Sequence, residues 1–158
     1  MKADVVKKIT ELSQAGYKVI PFIHWGVEYN HTPSADQKEF AHAFIDAGAY
    51  AIIGMHPQVV DTFELYNNHP IFYSLGNAIF DQDFSPDTME GLSTTFRISA
   101  EQLEIYFVPI KIDKSQFHIM EGELKSAFLK RLTSWGSYDQ IIKDQIEKGR
   151  IVINITNI

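Results

Sequence analysis

The chain has 158 residues, no cysteine and a net charge of −6, and 45% of its residues are hydrophobic. This length suits one domain with one substantial core, and the lack of cysteine excludes disulfides and thiolate zinc sites. The acidic balance argues against a nucleic-acid partner, because phosphate backbones are bound through an excess of Lys and Arg. No apolar run approaches the roughly 18 residues of a membrane span and no signal peptide is recognisable, so we expect a soluble chain without a targeting segment.

The first third of the sequence predicts a strand–helix–strand unit. Residues 3–15 carry apolar side chains at helical spacing. Residues 17–25 form a short apolar run typical of a buried strand, although Pro21 argues against a central position because it cannot donate to a ladder. A second short strand is predicted over 50–54. Two strands joined through a helix imply a right-handed parallel crossover, so both strands should end at one edge of the sheet.

The helix between these strands has a recognisable beginning and end. Ser34 and Gln37 have the spacing of a capping box, which predicts a helix over 35–47. We expect this helix to turn Phe40, Phe44 and Ile45 towards the core.

After residue 58 the pattern changes to antiparallel β-structure. Asn67 and Asn68 between two apolar runs predict a tight hairpin. Three further strands are predicted up to about residue 121, followed by two short helices. We divide the chain into a main domain portion, 1–121, and a C-terminal helical extension of the same domain, 122–158.

Polar side chains follow both strands of the predicted crossover. His24 ends the first strand, Glu28 lies four residues later, and His56 follows the second strand. In open α/β sheets ligands bind at the carboxyl ends of the strands, and neutral imidazole is a common metal ligand. We therefore expect the His24 and His56 side chains to converge at this sheet edge. Spacing alone also fits ordinary strand-end residues that bond to backbone or water, and it leaves that alternative open.

A second polar stretch begins where the strand before Gly76 ends. Asn77, Asp81, Gln82 and Asp83 follow that glycine, and they fit either a site or a turn with capping residues. No phosphate-binding loop, dinucleotide fingerprint or nucleophile elbow is present, so we predict no organic-cofactor site.

Three motifs in order, "HWGVEY", "AHAFIDAGAYAIIGMHPQVV" and "IFYSLGNAIFDQDF", resemble the second half of the CapA family. These are bacterial poly-γ-glutamate capsule biosynthesis proteins with a calcineurin-like metallophosphoesterase fold, and the resemblance extends over about residues 3–110. It implies an α/β fold, namely the C-terminal part of an α/β/β/α sandwich with a short parallel crossover, then antiparallel strands and C-terminal helices. It also implies association of the parent protein with the cell envelope.

Five residues are assigned roles, three of them through the resemblance and Glu28 and Asn77 from their positions after strands. His24 and His56 match metal ligands, and Gln58 stands where the wider group has a second histidine, which makes it a poorer ligand because its amide oxygen is neutral. His24, Glu28 and Asn77 are the expected catalytic residues. The early Gly-Asp strand and further ligand motifs of the family are missing from these 158 residues, so a two-metal centre is not expected here.

Two functional hypotheses follow from this combination. In the first, the chain is the C-terminal part of a metal-dependent hydrolase of capsule metabolism; it binds zinc, manganese or a similar divalent ion weakly or not at all and is inactive alone. In the second, it is a metal-free binding or structural module that recognises a polymer or a protein. We expect a homodimer, and we consider a polyanionic polymer or a phosphate-containing molecule as the ligand.

Overall fold

The structure is a computed structural model that describes residues 2–155. Within that range the chain forms four helices and eight strands. In chain order these are α1 (Lys2–Gln14), β1 (Phe22–His24), α2 (Ala35–Asp46), β2 (Ile52–Met55), β3 (Phe63–Tyr66), β4 (His69–Phe72), β5 (Glu90–Ile98), β6 (Gln102–Asp113), β7 (Gln116–Ile119), α3 (Gly122–Trp135), α4 (Gln140–Glu147) and β8 (Arg150–Asn154).

The first sheet has the order β1-β2-β4-β3. β1 and β2 are parallel neighbours joined through α2, which confirms the predicted crossover. The predicted extent of the first strand, 17–25, is wrong, because the ladder holds only over Phe22–His24 and the residues before it make a single bridge between Val19 and Ala49. Pro21 explains the interruption, since it has no N–H to donate. β2 begins at Ile52, two residues later than predicted.

Helix α2 begins as the sequence predicts. The Ser34 side chain accepts from the Gln37 N–H, and the Gln37 side chain accepts from the Ser34 N–H, which completes the capping box. Phe44 and Ile45 are buried, as expected. The prediction for Phe40 is wrong, because this side chain is 37% exposed and lies beneath the Lys2 ammonium, 4.8 Å from its ring centroid.

The antiparallel half also follows the predicted pattern. β3 and β4 form a hairpin whose turn residues, Asn67 and Asn68, have φ of 50° and 64°, as a primed hairpin turn requires. β5, β6 and β7 form a second, antiparallel sheet, and α3 and α4 are the two predicted helices. The strand β8 was not predicted. It pairs with the first half of β6, whereas β7 pairs with the second half of β6.

Two apolar clusters hold these elements together. In one, α1 and α2 pack on the first sheet through residues such as Ile9, Phe44 and Ile52. The other joins the opposite face of that sheet to the second sheet and to α3 and α4, and it includes Phe72 and Phe107. The chain is thus a mixed α/β structure of the partial sandwich type, as predicted. Across residues 2–155 no helix is both long and apolar enough to cross a membrane.

Candidate functional site at the edge of the first sheet

His24 and His56 come together at the carboxyl ends of β1 and β2. His24 is the last residue of β1 and pairs in register with Met55, the last residue of β2. His56 follows directly, so the two rings lie side by side with centroids 4.5 Å apart and planes tilted by 49°. The predicted convergence of the two imidazoles is therefore confirmed.

Backbone contacts between the two strand-end loops fix this arrangement. The Trp25 N–H donates to the Met55 carbonyl at 3.0 Å, and the Tyr29 N–H donates to the Pro57 carbonyl at 2.8 Å. Gly26 has φ +96°, and a Cβ there would lie 3.1 Å from Pro57 Cγ. A glycine at this position therefore lets the loop after β1 lie directly on the loop after β2.

The chain is strained on either side of Pro57. His56 has φ 108° and Gln58 has φ 64°, values that residues with a Cβ rarely adopt. Such conformations cost about 1–3 kcal/mol each and persist where surrounding contacts enforce them, which is a recurrent property of binding sites.

Gly54 allows the close approach behind the histidines. The Trp25 indole Nε1–H donates to the Tyr73 carbonyl at 2.9 Å, and this bond passes next to Gly54. A Cβ on Gly54 would lie 2.1 Å from that carbonyl oxygen and 2.5 Å from the indole nitrogen. Gly54, two residues before His56, thus has a packing role in addition to its place in the sequence motif that contains His56.

A cleft of about 380 Å³ opens in front of the histidine pair, and its lining includes His24, His56, Gln58 and Asn77. The Asn77 amide donates to Gln82 Oε1 at 3.2 Å and to the Thr88 carbonyl at 3.0 Å. Glu28 reaches the cleft through Gln58, whose Nε2 donates to Glu28 Oε1 at 2.6 Å. Four of the five predicted residues thus line one cleft and Glu28 contacts it through Gln58; their catalytic and ligand roles stay predictions.

The cleft contains residues that sequence reasoning did not assign to it. Met55, Gly76, Phe80 and Gln82 also line it. Gln82 had a usable signal, because it stands in the polar stretch after Gly76. Phe80 had none, since an aromatic side chain in a loop is most simply a packing residue.

The predicted metal ligands that line the cleft are two imidazoles and one amide side chain. The Gln58 Oε1 atom is buried and has no hydrogen-bond partner, so an unsatisfied acceptor lies at the cleft beside two imidazoles. The described residues contain no group of three or more His, Asp or Glu side chains arranged to hold a metal ion. A two-metal centre requires carboxylates that bridge the ions, and these are not supplied by residues 2–155.

Three other histidines have structural partners. The His42 Nε2 lies 2.9 Å from Glu64 Oε1, and the His69 Nδ1 lies 3.0 Å from the Tyr50 carbonyl oxygen. His31 stacks on Trp135 with ring centroids 4.3 Å apart. These contacts agree with the expectation that His24 and His56 are the histidines of interest.

A buried carboxyl group lies just before strand β3. Asp61 is 3% exposed, and burial raises its pKa from 3.8 to about 6. Its carboxylate accepts from the Thr62 N–H at 2.5 Å. Asp61 does not line the histidine cleft, so its titration concerns the stability of the fold.

Comparison with known proteins identifies the family. Residues 1–82, more than half of the chain, match the family described as "Bacterial capsule synthesis protein PGA_cap". The chain belongs to this family. The resemblance to CapA is thereby confirmed, and the matched segment contains His24, Glu28, His56, Gln58 and Asn77. It ends short of residue 110, the limit inferred from the motifs.

Three individual relatives show how much is shared. PGA biosynthesis protein CapA of Bacillus subtilis (strain 168) is 42% identical over 80 residues, which is 51% of this chain and 21% of that protein. Capsule biosynthesis protein CapA of Bacillus anthracis is 48% identical over 67 residues, 42% of this chain and 16% of that protein. Uncharacterized protein y4sH of Sinorhizobium fredii (strain NBRC 101917 / NGR234) is 38% identical over 58 residues, 37% and 13% of the two chains. The chain thus matches about a fifth, or less, of the length of these relatives.

Proposed function

We propose that this chain contributes the histidine side of a metal centre to a capsule-synthesis protein with a metallophosphoesterase-type fold. The observation that carries the proposal is the pair of imidazoles 4.5 Å apart at the carboxyl edge of a parallel sheet. Ligand bonds from imidazole to zinc are about 2.0–2.1 Å, so one divalent ion can contact both rings. The buried Gln58 oxygen without a partner supports a cation at this place.

His24 and His56 would hold the ion, and Gln58, which Glu28 orients, would lie beside it. When bound, a divalent ion acts as a Lewis acid towards an oxygen of its ligand. In a chain with net charge −6 the ion would also supply the positive charge that a phosphate-containing or other anionic ligand needs. Asn77 holds one wall of the cleft through its bonds to the loop over 82–88.

The chain alone should not turn over phosphate esters. With two imidazoles and no bridging carboxylate, it lacks the two-metal clamp that stabilises the attacking and leaving oxygens. The alternative function, a metal-free module that binds a polymer or a protein, draws support from the lack of any group of three His, Asp or Glu ligands in residues 2–155. In both cases we propose that the chain self-associates and that the parent protein works at the cell envelope.

Zinc titration followed by NMR of the histidine Cε1 protons tests the proposal. We expect saturation at one ion per chain, with His24 and His56 the resonances that shift. His24→Ala and His56→Ala should each weaken zinc binding at least tenfold, whereas His118→Ala, on the exposed strand β7, should not change it. Equal affinity in all four proteins would favour the metal-free module. Turnover of bis-p-nitrophenyl phosphate that requires manganese and is lost in His56→Ala would show that the chain is an active hydrolase.

A further inference from the structure

The outer side of strand β5 is a free edge of the second sheet over part of its length. β5 is the terminal strand in the order β5-β6-β7. Its first residues are covered, because the Leu92 N–H donates to the Leu75 carbonyl at 2.8 Å and Gly91 bridges Gly76. From Thr94 to Ile98, no strand among residues 2–155 pairs with this side.

The register shows which backbone groups are free. The Ser99 N–H donates to the Gln102 carbonyl of β6, and antiparallel pairs alternate between bonded and non-bonded residues. The odd-numbered residues of β5 therefore bond to β6. Thr94, Phe96 and Ile98 turn their N–H and C=O groups to the free side.

This edge has few of the features that prevent strands from pairing. It contains no proline and no lysine, and its register with β6 runs without a bulge from Glu90 to Ile98. Arg97 is the one charged residue between Ser93 and Ile98. The chain as a whole carries a net charge of −6, which makes two copies repel each other. The segment 93–98 has no acidic residue, so this repulsion is weaker at the β5 edge.

We infer that β5 of one chain pairs in antiparallel fashion with β5 of a second copy, with the two-fold axis at Phe96. The inference rests on the proposed self-association and specifies its interface. In this register Phe96 pairs with the second copy's Phe96, and Thr94 pairs with its Ile98. All three free residues then find bonded partners, whereas an axis at Thr94 would place Phe96 opposite Leu92, whose N–H is already used.

The side chains are compatible with this register. Leu92, Thr94 and Phe96 line one wall of an apolar groove of about 560 Å³ that runs from β5 to β1. Phe22 and Ile98, 70% and 38% exposed, add apolar surface near its ends. Pairing two copies places Phe96 against its equivalent at this wall, and aromatic cross-strand pairs stabilise a sheet. On the opposite face Thr95 lies across from the second copy's Arg97, so no like charges meet.

A pair of substitutions at Thr95 tests the register by charge. Thr95 is exposed. Because the dimer is symmetric, it contains two pairs in which Thr95 of one copy lies opposite Arg97 of the other. Thr95→Arg should weaken dimerisation roughly 5-fold, because it places two arginines opposite two others. Thr95→Glu should strengthen it by a similar factor, and both effects should diminish in 0.5 M salt. Sedimentation equilibrium measures the constants, and circular dichroism checks that all the monomers are folded. Equal constants for the two variants would overturn the inference.

Disulfide capture tests the register by distance, and the absence of native cysteine makes the experiment clean. Thr95→Cys and Arg97→Cys chains, mixed and oxidised, should form a mixed disulfide, because residues 95 and 97 are the closest cross-strand neighbours. Thr95→Cys mixed with Ser126→Cys, exposed on α3, controls for random collision. A dimer with no 95–97 disulfide above this control would refute the β5 interface and leave self-association standing. A monomer at every concentration would refute both.

Discussion

Replacing Gly54 by alanine tests how the fold supports the histidine pair. The added Cβ would lie 2.1 Å from the Tyr73 carbonyl oxygen and 2.5 Å from Trp25 Nε1, closer than real Cβ contacts come. The carbonyl belongs to a fully buried residue and cannot move freely. The strand β2 must therefore separate from the segment after β4, or the Trp25–Tyr73 hydrogen bond must break.

The size of the effect follows from these two routes. Overpacking a tight interior costs about 1–3 kcal/mol, and leaving the buried Tyr73 carbonyl without its donor costs about 1–3 kcal/mol. We expect Gly54→Ala to lower the free energy of unfolding by about 3 kcal/mol. Because Gly54 lies two residues before His56, the shift should also separate the imidazoles and weaken zinc binding.

Urea unfolding measured by circular dichroism gives the stability, and the indole N–H resonance of Trp25 reports the hydrogen bond. Gly16→Ala is the matched control, since Gly16 has open space around it but φ +87° and should lose only about 1 kcal/mol to its left-handed backbone. If Gly54→Ala were as stable as the native chain and kept the Trp25 resonance unshifted, the packing role assigned to Gly54 would be wrong.

Three further changes test other parts of the fold. Burial raises the pKa of Asp61 from 3.8 to about 6 in the folded state. Between pH 3.8 and 6 the folded chain therefore binds more protons than the unfolded chain, and its stability falls as the pH rises through this range. Asp61→Asn should remove about 3 kcal/mol of this pH-dependent loss of stability. Urea unfolding at pH 4 and pH 7 measures it, and an equal fall in the midpoint between the two pH values in the native and variant chains would contradict the prediction. Ser34→Ala removes the cap of α2 and should cost about 1 kcal/mol by the same measurement. Phe44→Ala should cost about 3–5 kcal/mol and the exposed Phe40→Ala distinctly less; the reverse order would show that α2 is rotated.

The crossover could be predicted from sequence because each of its signals is local. The capping box at Ser34, the apolar runs and the glycines lie within a few residues of the elements they define. Pro21 was recognised as unfavourable in a strand, but its consequence could not be quantified from sequence. How much of a ladder survives a missing N–H depends on the neighbouring strands, and within residues 2–155 β2 is the one strand that pairs with β1.

Strand β8 was missed for a different reason. Ile151 and Ile153 have the period of two that marks a strand, but the run is only five residues long and follows directly on helix α4. Its partner, the first half of β6, lies almost 50 residues earlier in the chain. Pairing at that separation is decided by the shared core, which includes both isoleucines, and no local pattern indicates it.

The candidate site likewise has one part that could be predicted from topology and another part that required the coordinates. Parallel neighbours must end at one sheet edge, and this was enough to predict that His24 and His56 meet. The positive φ at His56 and Gln58 could not be anticipated, because only a few per cent of residues with a Cβ adopt it. The bond from Gln58 to Glu28 joins residues 30 positions apart, which no local pattern indicates.

The fold holds the two imidazoles by different means. His24 ends an edge strand of three residues, and its position depends on the bonds that Trp25 makes to Met55 and Tyr73. His56 is held by its own strained backbone and by Pro57, whose carbonyl accepts from Tyr29. None of these contacts requires a bound ion, so the pair is arranged before any ligand arrives. Preorganisation of this kind lowers the cost of ordering on binding, and it would help the proposed site bind a cation through only two imidazoles.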